Sequence, residues 1–319
     1  MRALQVIAEN QTQFVEDAPC PEPGPGMVLI RIHACALNFA DLLMIKGTYQ
    51  EKPPKPFSPG MEVAGEVVAL GEGVTNPAIG TRVAVYGGYG GLAEYGVFPA
   101  NLCAALPDAM DFETAAAFQV AYSTSHVALD YRAQLQKGET LLVTGAAGGV
   151  GLTAVELGHK MGATVVAAAR GADKLAVAKA HGADHLIDTD TDDLRDVVKA
   201  LGGADVVYDV IGDPLFTAAL RSCKPEARVL TIGFAAGEVP KIAANHILVK
   251  NINVMGFYWG GYLAFKPEVL TDSLAALFEM YIQGELAPHV SHRFELAQAE
   301  EALEVLRTRK STGKVVVTL

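Results

Sequence analysis

Apolar positions along the chain follow two patterns, and one gives way to the other near residue 110. Before that point, short β-branched runs at 26–36, 63–70 and 81–86 alternate with turns rich in proline and glycine, which predicts a β-rich region. Beyond it, strand-length and helix-length segments alternate, which predicts a doubly wound α/β fold with a parallel sheet. The predicted strands of this series are 140–144, 164–168, 185–187, 205–209 and 228–232, and the helices between them are 150–161, 173–181, 191–201 and 214–222.

The length of the chain indicates more than one domain. A chain of 319 residues exceeds what one core usually organises, and two domains are expected. Beyond residue 260, two helical segments precede a terminal strand. We therefore predict that residues 1–118 form the β-rich domain, that residues 119–260 form the α/β domain, and that residues 261–319 return to the first one.

Composition and charge exclude several classes of partner. The net charge is −11 and no stretch is rich in Lys and Arg, so we expect no nucleic-acid partner. The longest mostly apolar segment, 114–129, is interrupted by polar residues, and the N-terminus is typical of a first strand rather than of a signal peptide. We expect no membrane span and a cytoplasmic protein. Four dispersed cysteines form no C-x-x-C pair and are expected to be free thiols: Cys20, Cys35, Cys103 and Cys223.

A glycine-rich loop joins the first predicted α/β strand to its helix. Residues 145–151 read Gly-Ala-Ala-Gly-Gly-Val-Gly. Glycines permit a tight turn and close approach of backbone N–H groups to a pyrophosphate, and the helix N-terminus adds a partial positive charge. This placement predicts a Rossmann-type dinucleotide site, whereas an ordinary glycine-rich turn is the alternative. The predicted pyrophosphate contacts are Ala147, Gly148, Gly149 and Val150.

The residue that follows the second strand bears on the choice of cofactor. NAD-selective sites place Asp or Glu there to accept from the ribose 2′-hydroxyl. Here the position holds Arg170, and Lys174 begins the next helix. Two cations could pair with a 2′-phosphate, which favours NADPH, although both side chains could instead be solvated surface groups.

Four short segments, at 38–41, 60–65, 146–151 and 312–317, carry a resemblance to a known family. With the β-rich first region and the interrupted layout, they resemble the medium-chain dehydrogenase/reductase superfamily, and within it the zinc-free quinone oxidoreductase subfamily. The resemblance covers essentially the whole chain. It implies a Rossmann domain inserted in a GroES-like catalytic domain.

The resemblance also implies that metal ligands are missing. Zinc enzymes of the superfamily carry G-H-E-x-x-G, whose histidine binds the catalytic metal, and here the histidine position holds Met61. The early cysteine ligand is missing from 38–41, and Val120 falls where the later one would be. Because zinc prefers thiolate and imidazole ligands, we expect no metal. The near pair His289 and His292 lies outside the metal positions of the family and is interpreted as structural.

The site residues are those that the resemblance carries over. It implies that Asn38 and Asp41 line the active-site cleft, with Tyr49 near its mouth, as the candidate catalytic group. Asn38 could instead be a turn or capping residue, Asp41 could orient its neighbours, and Glu62 is interpreted as structural. In addition to the loop and Arg170 with Lys174, the implied cofactor contacts are Tyr122, Thr124, Val210, Gly233, Phe234, Phe257, Tyr258, Trp259 and Lys314.

Two features of the sequence bear on the implied cofactor contacts. Phe257, Tyr258 and Trp259 could equally form a packed aromatic cluster. Some relatives place a tyrosine near the adenosine, after the strand that corresponds to 185–187 here. At that position this chain has Asp188 and Thr189 instead.

The resemblance implies hydride transfer from NADPH to a small-molecule electron acceptor, a quinone or an α,β-unsaturated carbonyl. Asn38 would hydrogen-bond the carbonyl oxygen, and a proton would come from solvent or from Tyr49. One rival is an enoyl-thioester or haloacrylate reductase on the same scaffold. A second rival is an NADPH-binding sensor or structural protein without turnover.

The run 252–257 is predicted to be the last strand of the α/β sheet. An exposed edge strand can pair with its copy across a two-fold axis, and relatives dimerise in this way. A homodimer is therefore expected.

Overall fold

The computed structural model describes every residue from Met1 to Leu319 and divides the chain into two compact units. Unit 1 comprises Met1–Val120 and Pro288–Leu319, and unit 2 comprises Ala121–Ala287. The chain returns to unit 1 later than the sequence pattern indicates. Residues 261–287 remain with unit 2, where Ser273 on a late helix lies 3.2 Å from Ser123, Oγ to Oγ.

The first part of unit 1 is mostly β-structure, as the runs of β-branched residues predict. Its strands are β1 (Ala3–Ala8), β2 (Gln11–Val15), β3 (Met27–Leu37), β4 (Glu62–Leu70), β5 (Arg82–Tyr86), β6 (Tyr95–Pro99) and β7 (Cys103–Ala105), and its helices are α1 (Phe39–Ile45) and α2 (Phe112–His126), of which α2 continues into unit 2.

Unit 2 alternates strand and helix. Its strands are β8 (Thr140–Thr144), β9 (Thr164–Ala169), β10 (His185–Asp188), β11 (Ala204–Asp209), β12 (Cys223–Thr231) and β13 (Asn253–Gly256), and its helices are α3 (Gly149–Lys160), α4 (Ala172–Ala180), α5 (Leu194–Ala200), α6 (Leu215–Ser222), α7 (Ala244–Leu248), α8 (Tyr262–Phe265) and α9 (Glu268–Ile282). The last part of the chain adds β14 (Val290–Glu295), α10 (Ala299–Arg307) and β15 (Lys314–Thr318) to unit 1.

The main sheet of unit 1 places the C-terminal strand beside β3. Its order is β14-β15-β3-β4-β5-β7, with β6 also paired to β3. In the antiparallel registers, Val315 lies opposite Leu37, and Glu62 lies opposite Ala36. The start of β15, the end of β3 and the start of β4 therefore meet at one end of the sheet.

The sheet of unit 2 is parallel throughout and has the doubly wound order β10-β9-β8-β11-β12-β13. The first strand in the chain, β8, lies in the middle, and every residue of it is buried because helices cover both faces. From β8 the chain continues to β9 on one side of the sheet centre, and from β11 it continues to β12 on the other side. Ligands of such sheets bind beyond the carboxyl ends of the strands, where this change of direction occurs. None of the helices in either unit combines the length and apolar composition needed to cross a bilayer.

Candidate functional site

The glycine-rich loop of unit 2 has the backbone that a phosphate site requires. Gly145 turns the chain at a φ of +63°, and Gly148 caps α3, which begins at Gly149. A Cβ on Gly151 would lie 2.2 Å from the carbonyl oxygen of Gly145, so no side chain fits between turn and helix. By contrast, the nearest atom to a Cβ on Gly148 would be 3.4 Å away. The first N–H groups of α3 have no acceptor within the helix and carry its partial positive charge.

A buried hydrogen-bond pair joins the ends of the two central strands. Thr144, the last residue of β8, donates its hydroxyl to Oδ1 of Asp209, the last residue of β11, and Oδ2 accepts the Gly212 N–H at 2.9 Å. Val210 N–H donates to Thr144 Oγ1 at 3.2 Å. Burial raises the pKa of Asp209 to about 6. The pair was not predicted, although a polar residue at the end of each apolar strand is a visible signal in the sequence.

The end of the next strand carries the residue that is predicted to bind the 2′-phosphate. Arg170 follows β9 with its side chain 66% exposed, and its Nε lies 3.1 Å from Oδ1 of Asp190. Lys174 lies in the first turn of α4. Together with the glycine loop and the N-terminus of α3, the exposed cation makes this face of the sheet chemically suited to a phosphorylated dinucleotide.

The other predicted cofactor contacts differ in exposure. Val210 and Gly233 are half-buried after β11 and β12, and Phe234 is exposed. Tyr258 is also exposed. These residues follow the carboxyl ends of successive strands, as predicted.

The remaining aromatic residues of that group lie in the interior of unit 2. The ring of Phe257 is buried, with its centroid 5.7 Å from that of Tyr262. Trp259 is buried and donates its indole N–H to Ser123 Oγ at 2.9 Å. In both residues most of the side chain packs against the protein, which is the alternative that the sequence left open.

Tyr122 and Thr124 are buried on α2. The Tyr122 hydroxyl donates to Oε2 of Glu156 on α3 at 2.6 Å, and burial together with this carboxylate raises the pKa of the tyrosine. Oε1 of Glu156 accepts the Ala287 N–H at 2.8 Å. One carboxylate of α3 thus holds residues next to both places where the chain crosses between the units. Glu156 was not singled out from the sequence, where it is a lone acid in an apolar helix.

Unit 1 contains a polar cluster formed by the half-buried Asn38 and the buried Asp41, Glu62 and Lys314. The register of β3, β4 and β15 brings these residues to one end of the sheet. Lys314 Nζ forms an ion pair with Oε1 of Glu62 and donates to Oδ1 of Asn38 at 2.7 Å. Oε2 of Glu62 accepts the Val120 N–H at 2.9 Å. Lys314 and Glu62 are only 5% and 1% exposed, so their charges are compensated inside the protein.

The partners of Asn38 fix the orientation of its amide. Oδ1 accepts from Lys314, which can only donate, and Nδ2 donates to Oε1 of Glu62 at 2.8 Å, which can only accept. The one other contact of Nδ2 is with the Ala36 carbonyl, at 3.5 Å. The second N–H of the amide therefore has at most a weak partner.

Asp41 acts on the backbone of the same cluster. Its two carboxylate oxygens accept the Asn38 N–H at 2.7 Å and the Gly60 N–H at 3.1 Å. The side chain is fully buried, and this burial raises its pKa to about 7. Asn38 is the N-cap residue of α1, and Asp41 accepts its backbone N–H, so the orienting alternative for Asp41 describes a real contact. Tyr49 is half-buried in the bend that follows α1.

The positions that would hold zinc carry no ligand side chains. Met61 is buried at the histidine position, and the Val120 position offers an alkyl group. No three His, Cys, Asp or Glu side chains come together as a metal site. His289 Nε2 lies 2.9 Å from Thr312 Oγ1, and His292 stacks on Phe294.

Comparisons with known proteins extend over both units. The alcohol dehydrogenase GroES-like domain family matches residues 24–108, and the zinc-binding dehydrogenase family matches residues 149–277. The chain is 40% identical, over 99% of its length, to quinone oxidoreductase-like protein 2 homolog of Nematostella vectensis, of which it covers 88%. It is 35% identical, over 93% of its length, to the human synaptic vesicle membrane protein VAT-1 homolog, of which it covers 80%.

Solved structures show the same similarity. The quinone oxidoreductase of Thermus thermophilus, described also as its complex with NADPH, has a TM-score of 0.87 and 35% identity, with full coverage of both chains. The Escherichia coli quinone oxidoreductase complexed with NADPH has a TM-score of 0.93 and 26% identity, again with full coverage.

Proposed function

Because the chain belongs to the medium-chain dehydrogenase/reductase superfamily and is of its quinone oxidoreductase type, we propose that it transfers hydride from NADPH to a quinone or an α,β-unsaturated carbonyl without zinc. That it is an NADPH-dependent oxidoreductase is supported by its relatives and by the NADPH complexes of its structural neighbours. The acceptor class and the independence from zinc are our proposals. The observation that carries them is the Asn38–Glu62–Lys314 contact set of unit 1.

Independence from zinc is argued from the donors present. A thioether at Met61 and an alkyl group at Val120 are poor partners for a borderline-soft dication that prefers thiolate and imidazole. The Lys314 ammonium already neutralises Glu62 beside these positions. A metal ion there would meet a buried cation rather than a set of ligands.

NADPH, when bound, supplies the hydride. The residues suited to hold it are the glycine loop of residues 145–151 with the N-terminus of α3, Arg170 at the end of β9, and the half-buried Val210 and Gly233 at later strand ends. Thr144 and Asp209 hold the loops on both sides of the central crevice in place.

Asn38 is proposed to bind the acceptor oxygen. Reduction of a quinone or an enone places negative charge on the carbonyl oxygen, and an oriented N–H donor stabilises that charge. Lys314 and Glu62 hold the amide so that its less engaged N–H is the available donor. We accordingly assign to Lys314 the role of positioning Asn38. A contact between Lys314 and the cofactor stays a prediction.

The proton is proposed to come from solvent or from the Tyr49 hydroxyl. Asp41 is unsuited to deliver it despite a pKa of about 7, because it is fully buried and both oxygens accept backbone N–H groups. Its role is to hold the backbone of Asn38 and Gly60.

The test is NADPH oxidation measured against a panel of quinones, enones, enoyl-CoA thioesters and haloacrylates, with Asn38→Ala and Asn38→Asp beside the unmodified protein. We expect turnover with quinones or enones and a loss of at least about tenfold in kcat/KM in both variants. Preference for the thioesters or haloacrylates would favour the rival reductase. Tight NADPH binding without turnover on any compound would favour the sensor. One zinc per chain, required for turnover, would overturn the zinc-independent mechanism.

We also propose a homodimer formed through β13. This strand is the edge of the unit 2 sheet, with its outer side unpaired in the single chain. Leu248 and Val249, which precede it, are 74% and 75% exposed. Pairing with a second copy would satisfy the edge and cover these side chains.

A cytoplasmic location is proposed as well. It is supported by the four cysteines, all of which are free thiols. Burial raises the pKa of Cys103 and of Cys223 to about 12, which keeps these two thiols protonated and unreactive.

A further inference from the structure

The cation assigned to the 2′-phosphate already has an anionic partner. Arg170 Nε lies 3.1 Å from Oδ1 of Asp190, and both side chains are more than half exposed. An exposed ion pair of this kind contributes little to stability, so it can exchange partners readily. A phosphate that binds Arg170 must displace this carboxylate or remain beside it.

Backbone hydrogen bonds to the side chain of Asp188 hold Asp190 near Arg170. Oδ1 of Asp188, at the end of β10, accepts the Gly171 N–H at 3.0 Å and the Asp190 N–H at 3.1 Å. Gly171 directly follows Arg170 and has a φ of +77°, a conformation that favours glycine. A single carboxylate thus ties the turn that carries Arg170 to the turn that carries Asp190, and their proximity does not depend on one rotamer.

The sheet order gives this contact its meaning. The glycine loop follows β8, Arg170 follows the adjacent β9, and Asp190 follows β10, with Asp188 paired to Ala169 in parallel register. In such sheets the pyrophosphate lies at the end of the first strand, and the adenosine ribose lies at the end of the second. Asp190 therefore flanks the ribose position from its outer side.

We propose that Asp190 is a specificity-determining residue that competes with the 2′-phosphate of NADPH for Arg170 and thereby narrows the preference for NADPH over NADH. The inference rests on the proposed role of Arg170 as the 2′-phosphate ligand. NADPH brings a doubly charged group that Asp190 repels, whereas NADH has a neutral 2′-hydroxyl and leaves the ion pair intact. The two side chains thus act on cofactor choice in opposite directions.

The experiment measures binding of the two adenosine-half probes 2′,5′-ADP and 5′-AMP to the full-length protein by calorimetry. We expect Asp190→Asn to bind 2′,5′-ADP about three- to tenfold more tightly with 5′-AMP unchanged, and this gain to shrink as salt is raised. Arg170→Gln should bind 2′,5′-ADP at least about tenfold more weakly, and adding Asp190→Asn to it should restore little. The matched control is Asp196→Asn, which removes one exposed acid whose ion-pair partner is Arg195.

Equal affinity of Asp190→Asn and the unmodified protein for 2′,5′-ADP would overturn the proposal. So would an equal gain for both probes, or an equal gain from the Asp196 control, since either would indicate a general charge effect. Because these probes carry no nicotinamide, the result is separate from turnover. Failure of the proposed function would appear as absent NADPH oxidation on the acceptor panel with probe binding retained.

Discussion

Thr144 donates its hydroxyl group to the buried carboxylate of Asp209, joining the carboxyl ends of the two central strands of unit 2. Thr144 precedes the glycine loop, and Asp209 accepts the Gly212 N–H of the loop that follows β11. This one side-chain contact therefore links two loops on opposite sides of the crevice where the cofactor is proposed to bind.

Removing the hydroxyl group of Thr144 while keeping the shape of the side chain tests how much this hydrogen bond stabilises the protein. Thr144→Val keeps the shape but leaves Asp209 without one donor, and we expect a loss of about 1–3 kcal/mol in the free energy of unfolding. Thr144→Ser keeps the hydroxyl and serves as the control. Because the pKa of Asp209 is about 6, the gap between the two variants in urea unfolding should be wider at pH 8 than at pH 5. Equal stability of the two variants at both pH values would contradict the stabilising role assigned to this hydrogen bond.

Two glycines of the phosphate loop should respond differently to alanine. A Cβ on Gly151 would meet the Gly145 carbonyl oxygen at 2.2 Å, so Gly151→Ala should lower both stability and NADPH affinity. Gly148→Ala meets nothing closer than 3.4 Å and should keep its stability while binding NADPH at least about tenfold more weakly. Gly24→Ala, with open space around it, is the control. Thermal melts and fluorescence titration provide the readouts, and unchanged NADPH affinity in Gly148→Ala would argue against this binding loop.

The Glu62–Lys314 pair allows structure and catalysis to be separated. Lys314→Met leaves the Glu62 carboxylate buried without its cation, and we expect a loss of about 3–5 kcal/mol. The double variant Glu62→Gln with Lys314→Met removes both charges and should recover most of that stability. If the pair positions Asn38, the double variant should still lose roughly tenfold or more in kcat. A stable double variant with full kcat would restrict the pair to a structural role.

The Asp41 carboxyl predicts a pH dependence of stability. Its pKa is about 7 in the folded protein against a usual 3.8, so the folded state retains a proton that the unfolded chain has lost between these values. The contribution of Asp41 to stability should therefore be complete below about pH 4, decline as pH rises to about 7, and stay constant above it. Urea unfolding from pH 4 to pH 8 should show this decline reduced in Asp41→Asn. An identical slope in the variant would assign the pH dependence to other groups, such as Asp209.

The proposed dimer can be tested at the residues that precede β13. Leu248→Glu combined with Val249→Glu would place two charges on side chains that a second copy should cover. Sedimentation should give a dimer for the unmodified protein and a monomer for this variant. Ile79→Glu, on an exposed apolar residue of unit 1, is the matched control. A monomeric mass for the unmodified protein would remove the proposal.

Repeating patterns in the sequence predicted the fold most accurately. The alternation of strands and helices gave the parallel sheet, and the glycines of residues 145–151 fall at the turn and the helix start where they were expected. Such signals are local: each depends on a few consecutive residues and on backbone conformations that few other residues adopt.

Contacts between distant segments were beyond the reach of those patterns. Lys314 was predicted as a cofactor contact, which stays a prediction. Its contacts with Glu62 and Asn38 were not predicted, because β15 pairs with β3 in a register that no local pattern specifies. The boundary of unit 2 at residue 287 was missed for a similar reason. The apolar pattern of α9 is the same whichever unit it packs against, and only its contacts assign it to unit 2. The Arg170–Asp190 pair likewise joins the ends of two strands that become neighbours only in the folded sheet.

The two hydrogen bonds of Glu156 bear on how such a chain can be assembled. Tyr122 and Ala287 mark the beginning and the end of unit 2, and both are bound to the same carboxylate of that unit. The two ends of the interrupting segment are thus held near each other by one side chain of that segment. The entropy lost by the host on closing around it then resembles that of a short surface loop, because loop-closure entropy depends on how far apart the ends are held.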